Sequence, residues 1–328
     1  MRKKAPELQY LETLKTRTKL SYQEQQQLEA DQKGYRGELT IDRLTKEIIV
    51  AQTPIIDDLN LQVDGQRVQL DKLVQIGNRL YLIDMKDYHG KYIFRKRTWY
   101  HNGKPLTHSI FSQIERAHDI LARIFMEHNL TIEIVKVIVF TDPSAVIEIE
   151  DQSEIVVKYL WEYCEWLQKL SQSASKQGSG SLPWQQILQK YRVAPYRPET
   201  DLTLDSRQLW QGIRCPRCGN FWWIQKHYAL QCKKCGYCEA TETAYVRTIC
   251  DYGTLYFRHN LQVGKLTEFL GKGYNKQYLR KILAKHFVPL NLRSRQFSYQ
   301  NQGEKFEYWF SNESQYFNNL KRRTTWGK

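Results

Sequence analysis

Gln69-Leu-Asp-Lys-Leu-Val-Gln-Ile-Gly-Asn-Arg-Leu-Tyr-Leu-Ile-Asp-Met-Lys-Asp-Tyr-His-Gly90 is the stretch that decides how this chain folds. Two β-runs meet at Gly77-Asn78, a dipeptide that accepts the positive φ of a tight hairpin turn. Alternation in the second run puts Leu80, Leu82, Asp84 and Lys86 on one face, and Tyr81, Ile83 and Met85 on the other. Asp84 and Lys86 therefore point the same way, roughly 6–7 Å apart along the strand. A carboxylate and an amine ending an apolar face are costly unless they have partners. Asp71, on the first run, offers a second carboxylate. By itself a D-x-K tripeptide also fits an ion pair at the end of an edge strand.

On the N-terminal side, Leu8, Leu11 and Leu14 are spaced for an amphipathic helix. Ser21 and Glu24 form a capping-box pattern, so the helix breaks and restarts near Leu20. Gly34 is expected to end that piece, and a further helix to run from about Gly37 to Val50 on Ile41, Leu44 and Ile48. Glu38 lies on the inward stripe of this helix, as a functional acid or as a first-turn acid favoured by the helix dipole. Short strands are expected around Asp58–Val63, Arg67–Gln75, Arg79–Asp87 and Lys91–Tyr100. A helix from about Ser109 to His128 follows, and then Ile134–Phe140, apolar enough for a strand covered on both faces. The order α-β-β-β-β-α-β implies a mixed sheet flanked by helices. Ala145–Leu170 adds a short strand and a helix bearing Trp161, Tyr163 and Trp166.

The chain has 328 residues, room for about two domains. With 41% hydrophobic and 13% aromatic residues it can bury a core, which excludes a disordered chain. A net charge of +14 points to an acidic partner, nucleic acid or an anionic membrane surface, with a merely soluble basic surface as the plain alternative. No apolar run reaches 18 residues, and no hydrophobic segment follows Met1-Arg-Lys-Lys, so a cytoplasmic protein without membrane contact is expected. Seven cysteines there suggest thiols or metal ligands rather than disulfides.

Several of these segments carry a family resemblance. Gly34-Tyr-Arg-Gly-Glu38, Gln69-Leu-Asp71, Ile83-Asp-Met-Lys-Asp-Tyr-His-Gly90, the Gln113 helix after Lys104-Pro-Leu, and the strand ending Val139-Phe-Thr-Asp142 together resemble the NERD (nuclease-related) domain. The likeness spans roughly residues 5–143. It implies the PD-(D/E)xK nucleases, with their restriction-endonuclease-like αβββαβ core, an α/β (α+β) fold. The usual family motif has Glu before x-Lys, where this chain has the shorter but chemically equivalent Asp84. By that resemblance Asp71, Asp84 and Glu38 hold Mg²⁺ or Mn²⁺, a hard cation that takes carboxylate oxygens beside a phosphate. Lys86 then orients the attacking water or stabilises the pentavalent phosphate. Gln113 holds water or a phosphate oxygen, or else only caps or joins helix to sheet.

Ser171-Gln-Ser-Ala-Ser-Lys-Gln-Gly-Ser-Gly-Ser-Leu-Pro183 opens a stretch, 171–208, expected as a flexible linker between residues 1–170 and the rest. Within 209–245, Cys215-Pro-Arg-Cys218-Gly and Cys232-Lys-Lys-Cys235-Gly are two C-x₂-C knuckles. They suit a structural Zn²⁺ ligated by four thiolates at about 2.3 Å each, in a zinc ribbon. Cys238 is a spare ligand by spacing, and redox pairing is the alternative use of the knuckles. In 246–328, Leu261–Leu270 and Asn275–His286 read as two short helices joined by a Gly-containing turn, which resembles a helix-turn-helix. Asn275 would cap the second helix, bury Leu279, Ile282 and Leu283, and leave Lys276, Gln277, Arg280 and Lys281 for phosphates and base edges. A plain helical hairpin with a solvated basic face fits equally. Phe297–Phe310 reads as a wing-like hairpin before the basic Lys321-Arg-Arg323 tail. The whole is expected to be a metal-dependent nuclease acting on nucleic acid, DNA first. A non-catalytic nucleic-acid-binding or regulatory protein on a nuclease-like scaffold is the alternative.

Overall fold

The computed structural model describes residues 2–49, 53–175, 183–198, 204–290 and 298–302. Two helices come first, α1 (Pro6–Lys15) and α2 (Tyr22–Ile48). The capping box at the start of α2 is reciprocal: Ser21 N donates to Glu24 Oε2 at 2.7 Å, and Glu24 N donates to Ser21 Oγ at 3.3 Å. α2 then runs unbroken through Gly34 and Gly37, which corrects the expected break. Each helical glycine costs only about 1 kcal/mol, less than packing of the helix returns. Gly37 also has a steric reason to be glycine, because a Cβ there would stand 2.8 Å from Thr141 Oγ1. The expected end at Val50 lies outside the described residues.

One compact unit comprises Met1–Arg2 and Glu29–Pro195. Its strands are β1 (Ile55–Val63), β2 (Gln66–Ile76), β3 (Arg79–Lys86), β4 (Gly90–Arg95), β5 (Thr98–His101) and β6 (Lys104–Pro105). Helix α3 (Ser112–Glu127), β7 (Glu133–Phe140), β8 (Ala145–Ile149), β9 (Val156–Tyr159), α4 (Leu160–Ser175) and α5 (Trp184–Gln189) complete it. The main sheet has the order β1-β2-β3-β7-β9, antiparallel from β1 to β3 and parallel from β3 to β9. With β4–β6 as an insertion, α2-β1-β2-β3-α3-β7 is the expected αβββαβ mixed-sheet core. β3 lies inside this sheet, between β2 and β7, so Asp84 and Lys86 do not belong to an edge strand.

Alternation along β3 has the anticipated consequence. Leu80 and Leu82 join the core under α3 with Ile114, Ile120 and Leu121, while Tyr81 and Ile83 pack with Ile41 of α2 and Tyr163 and Leu167 of α4. β7 is covered on both faces, Ile138 and Phe140 on the α3 side and Val137 and Val139 on the other. The turn falls at Gly77, with φ +60°. The single strand expected over Lys91–Tyr100 is instead the β4–β5 hairpin, which turns at Lys96 and Arg97, both at positive φ. No Asn-Gly or Asp-Gly marks that turn in the sequence. These strands form a second sheet, β6-β5-β4-β8.

Part of the stretch expected as linker is built into this unit. Trp184 of α5 is fully buried and donates its Nε1–H to Gln75 Oε1 at 2.8 Å. Val193 N then donates to Asn60 O on β1 at 2.9 Å. The Gly/Ser composition of the preceding residues hid the apolar Trp184, Ile187 and Leu188 of a short helix. Residues 176–182 and 199–203 lie outside the described set.

The second unit comprises Lys3–Leu28 and Tyr196 onward. The N-terminal helical piece, expected to serve the first domain, thus packs here: Tyr10 of α1 meets Phe257 edge to face at 6.3 Å. Fully buried Arg17 pairs with Asp251 at 2.6 Å and donates to Gly212 O at 2.7 Å. Strands β10 (Trp223–Gln225), β11 (Ala229–Cys232) and β12 (Cys238–Ala240) form an antiparallel ribbon. Helix α6 (Thr241–Leu255), not anticipated, leads to β13 (Leu261–Gln262), α7 (Val263–Leu270), α8 (Lys276–His286) and β14 (Ser298–Tyr299). α6, α7 and α8 pack pairwise. Most of the expected 297–310 hairpin, and the 321–323 tail, fall outside the described residues. Among the described residues no helix is long and apolar enough to cross a membrane.

Candidate metal and nucleic-acid sites

At the C-terminal end of β3 the structure brings Asp71, Asp84, Lys86 and Gln113 together. Lys86 Nζ lies 2.9 Å from Asp84 Oδ2 and donates to Gln113 Oε1, in the first turn of α3, at 2.6 Å. The Lys86–Asp84 contact is off line, so buried Asp84 Oδ2 receives no directed hydrogen bond. Asp71 Oδ2 accepts the Met85 N–H at 2.9 Å.

Asp71 owes its aim to a break in the alternation of β2. Val68 and Leu70 face the α3 core, whereas Val74 and Ile76 face the core shared with α2 and α4. The β1–β2 pairing skips the facing residue Asp58, whose φ is +49°. The register is the same on both sides, so no residue is inserted and the ladder is interrupted only where Asp58 stands opposite Asp71.

Glu38 reaches the same region from α2, but its Oε2 is 3.2 Å from Arg2 NH1. Arg2 is buried, with Nε 3.0 Å from Asp42 Oδ2 and NH2 donating to Asp71 O at 2.7 Å. Buried Lys72 closes the network on Asp42 at 2.7 Å and on Asp57. Among the described residues the carboxylates of Glu38, Asp71 and Asp84 do not gather as a three-ligand cluster. Glu38 is held instead by a cation of the protein. Sequence reasoning missed Arg2, Asp42 and Asp58. Asp42 had a signal, since it stands one turn after Glu38 on the same face of α2. Arg2 had none.

Electrostatics favour a cation at the two aspartates. Burial raises Asp84 to about 7, and the charge of Asp71 adds to the rise while Lys86 opposes it. Burial likewise raises Asp71, and raises Glu38 to about 7 against the pull of Arg2. Lys86 stays above its ordinary value despite burial because Asp84 and Asp71 surround it. Two buried carboxylates, one with an oxygen lacking a donor, suit Mg²⁺, which takes one or two carboxylates and keeps its waters.

The cysteine group is closed. Sγ atoms of Cys215, Cys218, Cys232 and Cys235 lie within 4.8 Å of one another. Cys215–Cys235 at 3.7 Å and Cys218–Cys232 at 3.6 Å are too far apart for disulfides and suit thiolates around one ion. Gly219 and Gly236, at φ +73° and +71°, turn the knuckles. Burial would push Cys232 up, but the N–H groups of Cys235 and Lys234 outweigh it and bring the thiol down to about 7. Cys238 is exposed, donates to Gly236 O at 3.5 Å, and is not in the group.

On α8, Asn275 caps the helix by accepting from Gln277 N and Tyr278 N. Leu279, Ile282 and Leu283 are buried, and Lys276, Gln277, Arg280 and Lys281 are exposed. Among the described residues no ion pair engages those three cations; Glu242, which meets the last turn of this helix, is held by Lys285 and His286.

Residues 33–141 match the family model of the nuclease-related domain, NERD. The match begins well after residue 5, so the N-terminal helical piece lies outside it. No curated protein and no solved structure matches the chain.

Proposed function

On the premise that residues 33–141 form a nuclease-related domain, we propose that this chain is a cytoplasmic, Mg²⁺- or Mn²⁺-dependent nuclease acting on DNA. The observation that carries the reading is the buried Asp71/Asp84 pair with Lys86 Nζ 2.9 Å from Asp84 and donating to Gln113. Asp71 and Asp84 would hold the ion, with Glu38 as a water-mediated third ligand. When bound, the ion supplies Lewis-acid polarisation of a phosphoryl oxygen.

The protein's own groups do the rest. Met85 N–H fixes the Asp71 carboxylate, leaving its other oxygen for the ion. Gln113 Oε1 accepts from the Lys86 ammonium, which stands beside Asp84, so that a further N–H can reach an attacking water or the phosphate oxygen that gains charge. The chain's net charge of +14 favours the phosphate backbone. Cys215, Cys218, Cys232 and Cys235 would hold a structural Zn²⁺ that shapes the ribbon. Lys276, Gln277, Arg280 and Lys281 would bind duplex phosphates and base edges.

The Arg2–Glu38 contact favours a second reading, a nucleic-acid-binding protein whose nuclease-like domain does not cut. One experiment separates them. Purified protein is incubated with plasmid DNA, with and without added Mg²⁺ or Mn²⁺. Nicking that needs added metal and falls about 10²–10³-fold in Lys86→Ala and Asp84→Asn supports the nuclease. Equal cleavage by wild type and variants would remove the site.

A further inference from the structure

The second unit contains a groove of about 860 Å³, lined on its ribbon side by Phe221, Trp222, His227 and Tyr228 and on its helical side by Tyr274 and Tyr278. Two of these rings stand in solvent, with Trp222 72% and Tyr228 79% exposed. Large aromatic rings left out of a core in one place mark a binding surface. Their support is ordered. Neighbouring Trp223 donates its Nε1–H to Ile213 O at 2.6 Å, and buried Tyr245 meets Tyr278 and Tyr274 edge to face at 5.0 and 6.0 Å.

The charge around the rings selects the occupant. Lys233 and Lys272 line the groove, and Lys226 and Lys276 are exposed beside His227 and Asn275. Glu242, the acid among the lining residues, is engaged by Lys285 at 2.8 Å and His286 at 2.7 Å. From Arg214 to Ala240 the ribbon carries Arg214, Arg217, Lys226, Lys233 and Lys234 against a single acid, Glu239, which is paired with Arg247. A cationic ligand would be repelled. A duplex keeps its base faces inside its own stack and offers nothing to an exposed indole. An unpaired strand offers both base faces for the rings and phosphates for the lysines.

We propose that this groove binds single-stranded nucleic acid, stacking unpaired bases on Trp222 and Tyr228 with Lys233 and Lys272 on the phosphates. The proposal rests on the nucleic-acid reading of the chain and deepens it by naming the unpaired strand as a bound form, DNA or RNA.

Full-length protein is titrated, without added divalent metal, against labelled oligothymidine, oligouridine, an abasic strand of equal length and a duplex of equal length. Trp222→Ala and Tyr228→Ala should each weaken binding of the base-bearing single strands about 5- to 150-fold, with zinc content and thermal transitions unchanged. Trp222→Phe should keep most of the affinity. The abasic strand should bind the wild type correspondingly more weakly and be indifferent to Trp222→Ala. The DNA and RNA arms tell which polymer is preferred. Equal affinity for abasic and base-bearing strands, or unaltered binding in both alanine variants, would overturn the proposal. Binding is read without cleavage, so the result stands whether or not the wild type cuts plasmid, and the two readings fail separately.

Discussion

Gly34 and Gly37 lie one turn apart on α2, yet adding one methyl should have opposite effects at the two positions. At Gly34 a Cβ meets nothing within 4 Å, so Gly34→Ala gains about 1 kcal/mol of helix propensity with no steric cost. At Gly37 the same carbon would sit 2.8 Å from Thr141 Oγ1, 3.1 Å from its Cβ and 3.2 Å from its Cγ2. Thr141 cannot simply swing aside. Its N–H donates to Lys86 O at 2.9 Å and its hydroxyl to Asp87 Oδ1 at 3.0 Å. Overpacking of this sort costs about 1–3 kcal/mol, against the same gain of about 1 kcal/mol. Gly37→Ala should therefore be neutral to about 2 kcal/mol destabilising. The two variants should differ by about 1–3 kcal/mol, or about 2–12 °C in the transition of a unit this size. Differential scanning calorimetry of the full chain reads the difference. Because Thr141 is bonded to the backbone of Lys86, cleavage should fall in Gly37→Ala and hold in Gly34→Ala. A Gly37→Ala protein as stable and as active as Gly34→Ala would refute the tight crossing of α2 over Thr141.

Other outcomes follow from the same geometry. Glu38 and Asp84, raised to about 7 by burial, keep protons in the native state that the unfolded chain has lost between about pH 4 and 7. Native stability of the metal-free protein should therefore fall as pH rises through that window, and Mn²⁺ should raise Tm more at pH 8 than at pH 5.5. A Tm gain equal at both pH values would contradict the cation seat. Asp84→Asn should remove part of this pH dependence and stabilise the metal-free protein at pH 8 on the order of 1–3 kcal/mol, as measured by urea unfolding, while lowering cleavage. Metal analysis should return about one zinc per chain, with Cys218→Ser losing both the zinc and the ribbon's cooperative unfolding. Cys238→Ser, outside the group, should keep both. Arg280→Ala should lower the salt slope of duplex binding by about one unit without altering sequence preference.

Period-two alternation from Leu80 to Lys86 was enough to place Asp84 and Lys86 on the α3-facing side of β3, because strand residues alternate whatever their surroundings. The turn at Gly77, the capping box at Ser21 and Glu24, the Asn275 cap and the cysteine knuckles were legible for the same reason. Each is a bond or a backbone preference satisfied within a few residues. Gly34 and Gly37 misled, since local propensity says stop there and the packing of α2 overrules it. The turn at Lys96 and Arg97 and helix α5 carried no local signal strong enough to find.

What only the tertiary structure decided is who stands beside whom. It put Arg2 against Glu38, Asp42 and the carbonyl of Asp71, turned Asp71 at a skipped pairing, and gave the α1 segment to the second unit. Those outcomes depend on burial and on charges brought together from as far as 234 positions apart, as in Arg17 with Asp251. A sequence determines which side chains can ionise or ligate. Distance and desolvation determine whether a carboxylate meets a metal, a lysine or an arginine.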